Sequence, residues 1–163
     1  MFPPDVLDDA GRLIAALRAK RRLLATAESC TGGLVASAIT AIAGSSDVFF
    51  GGFVTYADDA KSSMIGVDSG LIQRHGAVSE AVAHAMADGV VRTTGVDLAV
   101  SITGIAGPGG GSPHKPVGLV YIGIASVFDA PLVERHMFGE VGRDEVRLAS
   151  LRAALRMLLE AAA

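Results

Sequence analysis

The residues whose types and spacing could do chemistry lie in Ala25-Thr26-Ala27-Glu28-Ser29-Cys30-Thr31-Gly32-Gly33, where an apolar run breaks into hydroxyls, a carboxylate, a thiol and a glycine pair. Upstream, Leu23, Leu24 and Ala25 read as a short buried strand. Downstream, Leu34, Val35, Ala38, Ile39 and Ile42 recur at helical spacing, which predicts a helix from Thr31 to about Ile42. Ser29 thus falls where a strand hands over to a helix. In open α/β sheets ligands gather beyond the carboxyl ends of strands, and the free N–H groups of a helix start favour an anion or a developing oxyanion. Gly32 and Gly33 allow a ligand close to the backbone. The competing structural role is plain: Ser29 or Thr31 can serve as a helix N-cap.

As a nucleophile Ser29 needs a base. Lys61, Glu28 and a histidine are the available types. Lysine serves only when uncharged, which burial or a neighbouring cation favours. Tyr56, just before the predicted Lys61 helix, is placed to relay a proton or to hold the lysine. Gly32 stands three residues after Ser29, so an SxxK pair is absent and any Ser/Lys pair is assembled by the fold. Cys30 is a rival nucleophile, with burial as a packing residue the alternative. Arg143 and Arg147, one turn apart, make either a solvated helix face or a phosphate contact.

Other chemistries lack their signatures. His75, His84, His114 and His136 show no paired ligand spacing and Cys30 is the only cysteine, so no metal site is expected. The GPGGG segment lacks a Lys-Ser/Thr ending, and no GxGxxG follows the first strand. The formal net charge of −3 gives no general reason to bind nucleic acid. No apolar run reaches the roughly 18 residues of a membrane helix. A single cysteine and no signal-peptide pattern make the cytoplasm the expected compartment.

The elements that must position these groups follow from pattern. With 163 residues, half of them apolar, one domain over 1–163 is expected. Helices are predicted from Pro4 to about Lys20, beginning at Asp58 or Asp59 and carrying Lys61, within 66–76, from Glu80 to about Thr94 after a Ser79 cap, and from Arg143 onward. Strands are predicted to about Ala27, over Val48–Tyr56, Asp97–Thr103 and Val117–Val127, and as an outer hairpin partner over Leu132–Phe138. Gly51 and Gly52 suggest a bulge or a close backbone contact. Gly104 to Pro116, with five glycines and three prolines, is a loop. The order implies a mostly parallel sheet with one antiparallel strand between helix layers.

TAESCTGG, GGFVTYADDAK, GAVSE and SITGIAGPGGG followed by KPVGLVYI together resemble the C-terminal domain of the competence/damage-inducible CinA family over nearly the whole chain. The resemblance implies an α/β fold, a three-layer α/β/α sandwich with a mixed, mostly parallel five-stranded sheet. It also looks like the stand-alone form, without the larger protein's molybdopterin-binding-like domain. The activity implied is nicotinamide-nucleotide amidohydrolase, releasing ammonia from nicotinamide mononucleotide without a cofactor. The family's serine, lysine and tyrosine fall on Ser29, Lys61 and Tyr56, and its third-strand motif on Thr103 and Gly104. In the mechanism this implies, backbone around Thr31, Gly32 and Gly33 holds the oxyanion. The Gly104–Gly111 loop, including Ala106 and Gly107, and Arg143 or Arg147 take the phosphate. Glu28 either faces the pyridinium or pairs with Lys61. A small-molecule pyridine nucleotide is the expected partner, with no direct nucleic-acid or membrane binding and a homodimer as the assembly. The alternative is a nucleotide-sensing or protein-docking module that uses the same pocket without turnover and is linked to competence or the DNA-damage response.

Overall fold

The computed structural model describes residues Met1–Ala163. Its elements run α1 Pro4–Lys20, β1 Leu24–Glu28, α2 Leu34–Thr40, β2 Phe49–Val54, α3 Asp58–Ile65, α4 Ser69–His75, α5 Glu80–Thr94, β3 Leu98–Gly104, β4 Leu119–Ser126, β5 Leu132–Met137 and α6 Arg143–Ala162. The strands form one sheet in the order β2-β1-β3-β4-β5. β1 pairs parallel with β2 and β3, whereas β4 runs against both β3 and β5. One strand is therefore reversed, as the element order implied. β1 and β3 sit inside the sheet with both faces covered, which explains why every residue of the two strands except Gly104 is buried.

Two apolar layers flank the sheet. Leu24, Val100, Ile102, Val120 and Ile122 meet α1, α2 and α6 on one side, through Leu13, Leu17, Ile39, Leu151 and Leu155. On the other, Ala25, Ala27 and Ala99 meet Val82, Met86 and Val90 of α5, with α3 and α4 beside it. The small alanines let α5 lie close to the strands. Ser101, in the same face, donates to the Ala83 carbonyl at 2.5 Å.

The strand ends differ from the sequence reading in ways that matter for the site. α2 begins at Leu34 rather than Thr31, because Gly32 and Gly33 take φ values of 59° and 95° and make the turn that precedes it. β2 stops at Val54, so Thr55 and Tyr56 form a connector into α3. The glycines of β2 do mark both features expected of them. The ladder to β1 shifts register between Leu24 and Ala25, and a Cβ on Gly52 would stand 2.5 Å from Thr26 Oγ1.

α3, which carries Lys61, rests on α5 at Gly89, where a Cβ would overlap the Ile65 carbonyl oxygen. Because the obstacle is backbone, α3 itself has to move to admit a methyl. Gly89→Ala is therefore expected to destabilise the fold by about 1–3 kcal/mol through overpacking, read as a lower midpoint in chemical denaturation.

Candidate functional site

The carboxyl ends of β1 and β3, the β2–α3 connector and the start of α6 surround a cleft of about 280 Å³. Ser29, Cys30, Tyr56, Asp58, Lys61, Thr103 and Arg143 line it, with the glycine-rich segment from Gly104 to Gly110 along one wall. A larger hollow of about 450 Å³ between the end of α1 and the β4–β5 turn includes Lys20 and Ser126. There Lys20 Nζ is bonded to the Ala163 carbonyl, and Ser126 Oγ accepts from the Phe128 amide.

Lys61 is 1% exposed, and its Nζ lies 3.3 Å from Ser29 Oγ, 3.2 Å from the Tyr56 carbonyl and 3.4 Å from Asp58 Oδ1. Three acceptors match the three N–H groups of an ammonium. Ser29 Oγ in turn donates to the Tyr56 carbonyl at 3.4 Å. The parallel β1–β2 ladder brings these residues together, because both strands end on the same edge and Glu28 sits opposite Val54. Tyr56 holds the lysine, as one of its two expected roles required, but does so through its carbonyl. Its phenol, on a 60% exposed residue, instead accepts from Arg143 Nη2 at 3.1 Å.

Glu28 departs from both roles expected of it. Its buried carboxylate accepts from the backbone amides of Gly33 and Val35 at 3.1 Å and of Ala36 at 2.8 Å. It therefore neither pairs with Lys61 nor lines the cleft. The same bonds satisfy the α2 start, so the alternative role of Ser29 or Thr31 as its N-cap is not taken up. Those amides stabilise the Glu28 carboxylate at the buried end of β1, since a buried carboxylate persists only with such donors.

The amide groups around Ser29 are also narrower in role than expected. Gly32 N–H is spent on the Ser29 carbonyl and Gly33 N–H on Glu28, whereas the Cys30 and Thr31 amides donate to no backbone carbonyl. Thr31, Gly32 and Gly33 do not line the cleft. Thr103 does line it, with its hydroxyl donated to the Ala77 carbonyl at 2.8 Å, so it also pins the Gly76–Ser79 turn that forms the opposite wall. Arg143 spans the opening from Tyr56 Oη to the Gly107 carbonyl, 2.8 Å away. Arg147 is held elsewhere, by the Thr31 carbonyl at 3.1 Å.

The sequence pattern marks Asp58 or Asp59 only as the start of the Lys61 helix; in the structure Ala57 holds the cap position, and Asp58 lines the cleft and bonds Lys61. Its position three residues before Lys61 on a predicted helix was the readable signal. Ala77 and Val78 also line the cleft, and nothing local in GAVSE marks them as its walls. Cys30 belongs with the packed core, 5% exposed. Burial pushes its thiol up to about 11.

Fold and site together define a three-layer α/β protein with a buried lysine and a serine meeting at the strand ends. The chain belongs to the CinA C-terminal domain family, whose pattern it matches over residues 8–162. It is 48% identical over 149 residues to a protein of Enterobacter agglomerans named nicotinamide-nucleotide amidohydrolase PncC, covering 90% of this chain and 91% of that one. A CinA-like protein of Synechococcus sp. (strain RCC307) is 50% identical over 149 residues, 91% of this chain and 36% of the relative. The chain thus spans about a third of the length of such CinA-like relatives. The crystal structure of the competence/damage inducible protein CihA from Agrobacterium tumefaciens superposes with a TM-score of 0.96 at 46% identity, covering 98% of this chain and 97% of that one. No helix is long and apolar enough to cross a membrane.

Two outcomes follow from the burial around Ser29. With its thiol near 11, Cys30 presents only about 0.1% thiolate at pH 8. Iodoacetamide at that pH should leave the native protein unlabelled by intact mass and label it fully in denaturant. Glu28→Gln puts an amide donor among the α2 amides and is expected to cost about 2–4 kcal/mol in urea unfolding.

Proposed function

We propose that this chain is an amidohydrolase that converts nicotinamide mononucleotide to nicotinate mononucleotide and ammonia. The observation that carries the reading is the 3.3 Å approach of buried Lys61 Nζ to Ser29 Oγ at the wall of an open cleft of about 280 Å³. The name of the Enterobacter relative supports the same substrate. Lys61 first gives up one proton to solvent water and is then able to accept the one from Ser29, whose oxygen attacks the carboxamide carbon. The pyridinium withdraws electrons and makes that carbon more electrophilic. Lys61 returns the proton to the departing ammonia, and water then cleaves the nicotinoyl ester by the reverse sequence.

Charge on the tetrahedral oxygen falls to the backbone N–H of Cys30, which borders the cleft and donates to no backbone carbonyl. Such donors contribute about 10²–10³ in rate each. The phosphate is assigned to the Arg143 guanidinium and the backbone amides of Ala106, Gly107, Gly109 and Gly110, which line the cleft beside it. Arg143 is already oriented there by Gly107. No metal or organic cofactor enters these steps.

Purified protein is expected to release ammonia from nicotinamide mononucleotide, followed by a coupled ammonia assay. Ser29→Ala should lower kcat by at least about 10³-fold and Lys61→Ala by about 10²–10⁴-fold, whereas Cys30→Ala keeps turnover. Nucleotide binding without ammonia release by the wild type would instead mark a sensing module. Arg143→Ala should raise KM for the mononucleotide about 10–100-fold and leave the KM for nicotinamide riboside, which lacks the phosphate, little changed.

A further inference from the structure

The cleft is lined by two cationic side chains, Lys61 and Arg143, and by a single carboxylate, that of Asp58. Glu28 is committed to the start of α2, so Asp58 alone can meet a positive charge there. Its side chain is 59% exposed, and the protein engages only Oδ1, through Lys61. Asp58 lies at the first residue of α3, one hydrogen bond beyond the amine that touches Ser29 Oγ.

We infer that Asp58 is the specificity residue for the oxidised, cationic pyridinium ring and discriminates against the neutral dihydropyridine form of the same nucleotide. The assignment rests on the nicotinamide mononucleotide reading above. The carboxamide carbon that Ser29 attacks is bonded directly to the ring, so a productive pose sets the ring's positive charge among the neighbours of Ser29. Without a carboxylate that ring would meet only Lys61 and Arg143, both of its own sign. Asp58 offsets them. A ring that engages Asp58 also draws away one of the three acceptors that hold the Lys61 ammonium, so the cation that is bound and the amine that must lose a proton compete for one carboxylate.

The test uses Ser29→Ala protein, which keeps the cleft and does not consume ligand, titrated with nicotinamide mononucleotide and with its dihydro form. The two ligands share the carboxamide, ribose and phosphate, and differ in ring charge. The cationic form is expected to bind at least about tenfold tighter, with the ratio shrinking as salt is raised. Adding Asp58→Asn should abolish the ratio, and adding Asp58→Glu should retain it. Equal weakening of both ligands by Asp58→Asn, or an unchanged ratio, overturns the inference and leaves Asp58 as a positioning residue for Lys61. Failure of Ser29→Ala protein to bind either nucleotide, with no ammonia release by the wild type, overturns the substrate reading and the inference with it.

Discussion

The arrangement depends on a carboxylate placed against a helix start. Glu28 ends the buried strand β1, and three amides at the beginning of α2 close on its oxygens. A charge taken that far from water is tolerable only because each bond to it is charge-assisted and the helix dipole favours an anion at that point. The consequence is local and geometric. With Glu28 facing α2, the chain turns through Gly32 and Gly33, and the Ser29 hydroxyl is not spent on capping. It is left to face Lys61.

Lys61 reaches that hydroxyl from another segment because the sheet is parallel at this point. β1 and β2 end side by side, so the turn after one and the connector after the other open onto the same space. β3 ends there too, and reversed β4 is what returns the long glycine-rich segment across the cleft toward Arg143. Three parallel strand ends and one helix start thus supply the cleft, and the burial of α3 against α5 keeps the lysine from swinging into water. The Tyr56 carbonyl ties the two halves together, since it accepts from both Ser29 and Lys61.

Much of this was legible in the residues. Periodicity placed all five strands and the helices, and the alternation of strand and helix gave the mixed sheet, because both signals are local. Boundaries near the site were less legible: Thr31 looks like the start of a helix, and only the left-handed conformations of Gly32 and Gly33 move that start to Leu34. Ser29, Lys61 and Arg143 were readable as chemical types, and the structure brings them into one cleft. The direction in which Glu28 points was not readable. Strand parity gives a face but not the partner, and its three amides belong to Gly33 and the first turn of α2, which the left-handed glycines place against it. Tyr56 misled for a related reason. Its phenol is the group a sequence advertises, while the atom that bonds Lys61 is a carbonyl every residue possesses.

The adjacent serine and cysteine show how burial divides two nucleophiles of unequal intrinsic strength. A thiol attacks as thiolate, and Cys30, enclosed in the core, is pushed up to about 11, so near neutral pH its ionised form is scarce. A hydroxyl is never ionised at that pH wherever it sits, so it depends on a base within hydrogen-bond reach rather than on its own acidity. Position 29 has that neighbour in Lys61, and position 30 makes no hydrogen bond to it. One step along the chain thus separates a hydroxyl bonded to the cleft's amine from a thiol packed into the edge of the apolar core. The stronger nucleophile in solution is the weaker one here because the same apolar surroundings that stabilise the fold oppose its charge.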